Sequence, residues 1–312
     1  NKFVPVACKL LGCNESIVET CCDSLLSTFS ICSKEIGEVE YLSIPSYFNA
    51  EQYIAARLIS VKDFINSKMI VDELEIKAIE NGLGIQFEDL QRQAILETFK
   101  NGILVLTGGP GTGKTTTLNA IIKLFQNRDM IIELAAPTGR AAKRMTELTG
   151  MEAKTIHRLL EVEWVEDDKQ QFCRNERNPL DCDVIIIDEA SMIDAILLEN
   201  LLKALRLNCR IILVGDSDQL PSIGAGNVLG DILAADVFPS IKLKRVFRQA
   251  NESMIVRNAH AIINGDDVDF SNKKSDCFFL ERQDKYSTVE TVLSLVSERL
   301  PAAYNFNSIT DI

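Results

Sequence analysis

No apolar run in this chain approaches the roughly 18 consecutive residues that would cross a bilayer as a helix. The greasiest stretches are short and end on charge, as in Asp183-Val-Ile-Ile-Ile-Asp188-Glu-Ala, so the chain is expected to be soluble, with no membrane partner. A signal peptide is missing as well, because Asn1-Lys2-Phe3 is neither an initiator Met nor a charged segment leading into an apolar one. That start predicts numbering that begins inside a longer protein. Nine cysteines are present, five of them at Cys8, Cys13, Cys21, Cys22 and Cys32, yet these five form no CxxC pair. Their spacing argues against a zinc or iron–sulfur site. An odd number without a secretory signal predicts reduced core thiols and a cytoplasmic location. Positive charge is short too: 33 Lys and Arg against 45 Asp and Glu leave a net charge of −12. Any nucleic acid would therefore need a local basic groove. Internal repeats and low-complexity segments are lacking.

What is there is ordinary globular material, 312 residues with 46% hydrophobic and 25% charged, enough for two unequal domains. Ile17, Val18, Cys22, Leu25, Leu26, Phe29 and Cys32 recur at helical spacing, with Gly37 as a stop, which predicts a helical first 35 residues. EVEYLSIPSYF then reads as one or two short extended pieces. Asn49 with Gln52 signals a helix to about Asn66, and a second helix is expected over roughly Val71 to Glu80. From Phe87 the pattern changes: the apolar runs ILVL (103–106), IIEL (131–134), VIII (184–187), RIILV (210–214) and CFFL (277–280) alternate with helical stretches. That alternation predicts an α/β fold with a parallel sheet covered by helices on both faces.

Chemistry enters at Gly108-Gly109-Pro110-Gly111-Thr112-Gly113-Lys114-Thr115, a GxxxxGK[ST] loop between the strand ILVL and a helix beginning at Lys114. The glycines let the backbone curl so that successive N–H groups and the helix start face phosphates. Gly109, Pro110, Gly111, Thr112, Gly113, Lys114, Thr115 and Thr116 are thus the expected ATP cradle, with Lys114 on the β- and γ-phosphates and the Thr115 hydroxyl on Mg²⁺. Asp188 and Glu189 close the strand VIII. An acid at the carboxyl end of a buried strand lands beside such a loop, so Asp188 is expected on Mg²⁺ and Glu189 on the attacking water. After RIILV comes Gly215-Asp-Ser-Asp-Gln219-Leu-Pro, where Gln219 is the candidate γ-phosphate sensor and a plain turn is the bland alternative.

GGPGTGKT, APTGRAAKRM (136–145), TIHRLL (155–160), DEASM (188–192), GDSDQLPSIGAG (215–226) and VFRQA (246–250), in that order, resemble motifs I, Ia, Ib, II, III and IV of superfamily 1 helicases, closest to the RecD-like branch. The resemblance covers about residues 87 to 265. It implies a RecA-like motor domain over 87–300, a small helical, winged-helix-like domain over 1–86, and a start at 301–312 of a connection to a missing second motor domain. It further implies that Gln91 reads adenine and that Arg248 touches the γ-phosphate. Pro137, Thr138, Arg140, Thr155 and His157 would line a path for single-stranded DNA. His157, one of only two histidines, has a structural alternative as a helix residue bonded to nearby backbone. Val162, Trp164 and Phe172 flank a polar turn, and a hairpin at about 162–174 resembles a strand-separating pin, although its aromatics could simply pack on each other. The implied activity is ATP hydrolysis driving 5′-to-3′ movement along single-stranded DNA in recombination and repair, weak in this chain alone. Recombination nucleases or single-strand binding proteins are the implied further partners. A nucleotide kinase and a non-catalytic nucleotide-regulated module are the competing readings; the first would need an acceptor pocket and lid in place of APTGRAAKRM and TIHRLL.

Overall fold

The computed structural model describes residues 2–65, 69–165, 169–245, 253–270 and 276–309. It divides into two compact units, Asn1–Phe247 and Arg248–Ile312.

The first unit opens with α1 (Phe3–Leu11) and α2 (Glu15–Ser27). A hairpin of β1 (Cys32–Ile36) and β2 (Val39–Ser43) follows. Helix therefore stops before the expected residue 35, and Gly37 is the turn of a hairpin, at φ 63°, a conformation that favours glycine. Next comes α3 (Pro45–Phe64), which starts ahead of the Asn49 signal because Pro45, with its fixed φ and no N–H to lose, sits in its first turn. Helix α4 (Glu73–Leu83) is framed by a capping box between Asp72 and Glu75 and by Gly84 in the left-handed region. Helix α5 (Asp89–Lys100) leads into the sheet.

Strands alternate with helices from there: β3 (Ile103–Gly108), α6 (Lys114–Gln126), β4 (Ile132–Ala136), α7 (Gly139–Thr149) and β5 (Ala153–Thr155). They continue through α8 (Ile156–Leu159), the hairpin β6 (Val162–Val165) with β7 (Lys169–Phe172), and β8 (Val184–Ile187). The unit ends with α9 (Ala195–Ala204), β9 (Arg210–Gly215), α10 (Val228–Ala235) and β10 (Ser240–Leu243). Six of these strands form one sheet in the order β10-β3-β9-β8-β4-β5. Every pairing in it is parallel. All carboxyl ends thus share one rim, and the loops that carry the sequence motifs leave from it.

Alternate strand residues feed two cores. Val105, Ile185, Ile187, Ile211 and Leu213 pack with α9 and with Ala50, Ile54, Leu58 and Val61 of α3. Leu104, Leu106, Val184, Ile186, Ile212 and Val214 pack with α5, α6 and with Ile76 and Ile79 of α4. Helices α3 and α4 therefore build the two layers over the sheet, and the residue 86/87 junction lies within continuous packing.

The second unit contains α11 (Met254–Asn264), α12 (Lys285–Ser294), a π-helical turn (Leu295–Arg299) and α13 (Leu300–Tyr304). The run CFFL is not the expected strand: residues 277–280 have no regular structure. Phe278 is 60% exposed. An apolar run becomes a strand only where a neighbour accepts its ladder of hydrogen bonds, and no strand of the described residues pairs with this one.

Candidate nucleotide site and its rim

The loop 108–113 curls because glycine occupies the positions that demand it. Gly111 and Gly113 have φ of 73° and 86°, where a side chain would strain the backbone. At Gly108 a Cβ would come within 2.8 Å of Leu243 O, so the neighbouring strand end requires glycine there. Thr112 is buried and its hydroxyl donates to Gly109 O at 2.8 Å, which locks the curl from inside. Pro110 stands exposed at the tip, and Gly109, Thr115 and Thr116 are half-buried. Gly113 caps α6, whose first residue is Lys114. The Lys114 ammonium donates back to the carbonyls of Gly108 and, at 3.1 Å, of Gly109. It is thereby held over the cradle that its loop forms.

Gln91 is 1% exposed, so it is not a solvated helix residue. Its Oε1 accepts from the Glu88 N–H at 3.0 Å, and its Nε2 donates to Gly113 O at 3.4 Å. One amide closes the capping box of α5 and touches the last glycine of the loop. The resemblance marks Gln91 as an adenine reader; its burial comes from the way α5 lies against α6.

Asp188 follows β8, and its Oδ1 accepts from the Glu189 N–H at 2.9 Å. Its own N–H donates to Ala135 O of the neighbouring strand. Glu189 has φ 53°, left-handed for a residue with a side chain, a conformation that costs on the order of 1–3 kcal/mol and gathers at functional sites. Burial pushes the Asp188 carboxyl up, against the pull of the Glu189 amide and Lys114. Burial, then the adjacent Asp188 charge, pushes Glu189 up as well. Burial lowers Lys114, opposed by Asp216, Asp188 and Glu189. The two desolvated carboxylates are held against this penalty by the charges of Lys114 and Arg144.

Asp216 and Arg144 were not singled out by sequence reasoning. Asp216 is 2% exposed and follows β9. Register sets Gly215 opposite Thr107, which brings Asp216 level with the start of the phosphate loop. The signal that identified Asp188, an acid closing a buried strand, applied to Asp216 equally. Gln219, the residue chosen from that loop, lies exposed in a turn, where its N–H donates to Asp216 O at 3.2 Å. Arg144 lies on α7 and its charge acts on Lys114, Asp188 and Glu189. Arg248 lies outside the described residues.

The other candidates meet on the adjoining stretch of rim, because Ala136 and Thr155 are register partners in β4 and β5. Thr138 caps α7 by accepting from the Ala141 N–H, and Thr155 caps α8 by accepting from the Arg158 N–H. Pro137 is half-buried between strand and cap, and Arg140 is exposed one turn on. The His157 ring lies 5.9 Å from that of Phe172, so the hairpin aromatic meets the histidine. In backbone register, Val162 pairs with Phe172 and residue 164 with residue 170 across the hairpin. The basic residues of this rim are loosely engaged: Lys143, Lys154 and Arg158 each sit 3.9 Å from a glutamate. Such long pairs, exposed at Lys143 and Arg158 and half-buried at Lys154, yield easily to another anion.

Residues 91–225 match the family described as AAA domain. The chain is similar to the ATP-dependent RecD2 DNA helicase of Deinococcus radiodurans, 41% identical over 172 residues, 55% of this chain and 23% of that protein. It is similar to the RecBCD enzyme subunit RecD of Mycolicibacterium smegmatis, 40% identical over 173 residues, 48% of this chain and 31% of that protein. The RecBCD enzyme subunit RecD of Buchnera aphidicola matches at 32% identity over 231 residues, 67% of this chain and 37% of that protein. The chain thus spans 23% to 37% of the length of these relatives.

Proposed function

We propose, for a chain whose P-loop segment is RecD-like, that it is the ATP-hydrolysing part of a DNA helicase motor that moves along single-stranded DNA in recombination and repair. What supports this most directly is the shared rim: Lys114, Asp188 and Glu189 stand with the caps Thr138 and Thr155 at the carboxyl ends of strands of one parallel sheet. In this reading Lys114 leaves the Gly108 and Gly109 carbonyls for the β- and γ-phosphates. Backbone N–H groups at the start of α6 take the remaining phosphate charge. Glu189 accepts the proton of the water that attacks the γ-phosphorus, and the bond to the β-phosphate oxygen breaks as the new one forms. Gln219 senses the γ-phosphate, and Arg248 is assigned the same phosphate by resemblance. Gln91 is the adenine reader of this scheme, resting on the wall of the cradle.

The donor set fits Mg²⁺. A hydroxyl at Thr115 and a desolvated carboxylate at Asp188 are hard oxygen donors, and among the described residues no three acidic, His or Cys side chains form a closed cage. Mg²⁺ prefers few protein ligands, completed by water and substrate phosphates. When bound there, it neutralises phosphate charge.

Pro137, Thr138, Arg140, Thr155 and His157 would hold the DNA backbone through hydroxyls, helix starts and cations, which fix position without reading bases. The loosely paired Lys143, Lys154 and Arg158 offer local positive charge in a chain of net charge −12. We assign residues 1–86 to a leading region whose α3 and α4 pack onto the motor's sheet, 87–300 to the motor domain and 301–312 to a connection, with polarity 5′ to 3′, a cytoplasmic location, and nuclease or single-strand binding proteins as partners.

The test is equilibrium binding of a fluorescent ATP analogue and of a labelled single-stranded oligonucleotide to this chain and to Lys114→Ala. Both should bind the wild type, and only the nucleotide should be lost from the variant. A wild type that binds neither would sink the reading.

A further inference from the structure

Helices α6 and α7 each leave the carboxyl end of a strand in one parallel sheet and run back along it, so they lie side by side in the same direction. Asn119 Nδ2 of α6 donates to Leu148 O of α7 at 3.1 Å, which fixes their relative height. One helical turn upstream of these two residues stand Thr115 on α6 and Arg144 on α7. The buried neighbours Ala142 and Met145 set the rotation of α7. Arg144 is exposed and, among the described residues, makes no hydrogen bond or ion pair, whereas Lys143 beside it pairs with Glu147. With Lys114 it is one of two cations whose charge acts on both Asp188 and Glu189.

An arginine without a partner, level with the first turn of a phosphate-binding helix, has the reach and the planar donor fork to take a phosphate group. We propose that Arg144 contacts the terminal phosphate of a nucleoside triphosphate held in the 108–115 loop, so that α7 distinguishes triphosphate from diphosphate. This rests on the nucleotide-site reading above. Arg140 lies one turn before Arg144 on the same helix, which begins at the Thr138 cap. The phosphate contact therefore acts on the helix that carries the proposed DNA contacts.

The experiment measures binding of the β,γ-imido analogue of ATP and of ADP, each with Mg²⁺, to wild type, Arg144→Gln and Arg144→Lys, beside a single-stranded oligonucleotide titration and thermal melting. Loss of a charge-assisted contact should weaken the triphosphate about tenfold or more in Arg144→Gln. ADP and oligonucleotide affinities and the melting temperature should stay near wild type, and Arg144→Lys should fall between. Equal weakening of triphosphate and diphosphate, weakening of the oligonucleotide alone, or no change would each overturn the role. A wild type that binds neither nucleotide would instead remove the nucleotide-site reading on which it rests.

Discussion

Along β8 all four side chains are buried, while along the nine-residue α1, which also carries several large apolar residues, none is. Strand β8 sits between β9 and β4 with helices over both of its faces. Helix α1 has α2 beside it, and among the described residues before the β1–β2 hairpin only Val18 is a buried hydrophobic. Leu10 and Leu11 are 80% and 73% exposed. Apolar content favours an element in both places, yet the stabilisation of about 25 cal/mol per Å² accrues only where a second surface removes water. The sheet holds its own interior; the N-terminal helices await none of it for their local form.

The sharpest way to break this contrast is to truncate a large apolar side chain on each side of it. Phe99 is fully buried in α5, its ring centroid 4.3 Å from that of Phe125 and beneath the Arg128 guanidinium. Phe99→Ala should cost about 3–5 kcal/mol in urea unfolding, and Leu10→Ala within about 0.5 kcal/mol. Similar losses would mean that α1 is packed as well as the core. On the functional rim of the same sheet, Lys114→Ala should lower nucleotide turnover by about a hundredfold or more. Its melting curve should stay near wild type, because the ammonium bonds only to loop carbonyls. A collapse in stability would instead make Lys114 part of the scaffold.

Between scaffold and site stands Gln91. Gln91→Ala leaves the Glu88 N–H without its partner and removes one of three donors to the Gly113 carbonyl, which keeps the Thr117 N–H and hydroxyl, and should cost about 1–3 kcal/mol. It should also weaken nucleotide binding. A loss of binding with unchanged stability would confine Gln91 to the ligand. The smallest effect concerns Glu75, whose carboxyl is held below its usual range by the Asp72 amide and the Arg128 guanidinium. A lowered folded value stabilises above the unfolded pKa of about 4.3 and loses that contribution as pH falls through the folded value. The stability gap between wild type and Glu75→Gln, read by urea midpoints from pH 7 down to pH 3, should therefore narrow toward acid. A gap that widens would reverse the assignment.

Most of the sheet was legible because its strands are continuous apolar runs, and only a doubly covered parallel sheet accommodates such runs. The curl of residues 108–113 was legible because glycine spacing encodes backbone shape directly. Asp188 was singled out by its place at a strand end; the structure shows that Asp216, buried after β9, satisfies the same rule, whereas Gln219 lies exposed in a turn. CFFL misled because a strand needs a partner that local sequence does not announce. Asn49 misled because Pro45, four residues earlier, offered a better first turn.

Sequence alone determined the alternation of β3, β4, β8 and β9 with helices, the curl of residues 108–113 and the acid after VIII, since each depends on side-chain periodicity or on dihedral preferences within a few residues. The tertiary structure decided that α3 and α4 cover the sheet, that Gln91 is buried against Gly113, and that Arg144 stands level with Thr115. Those facts depend on strand order and helix register, which arise from contacts between residues far apart in the chain.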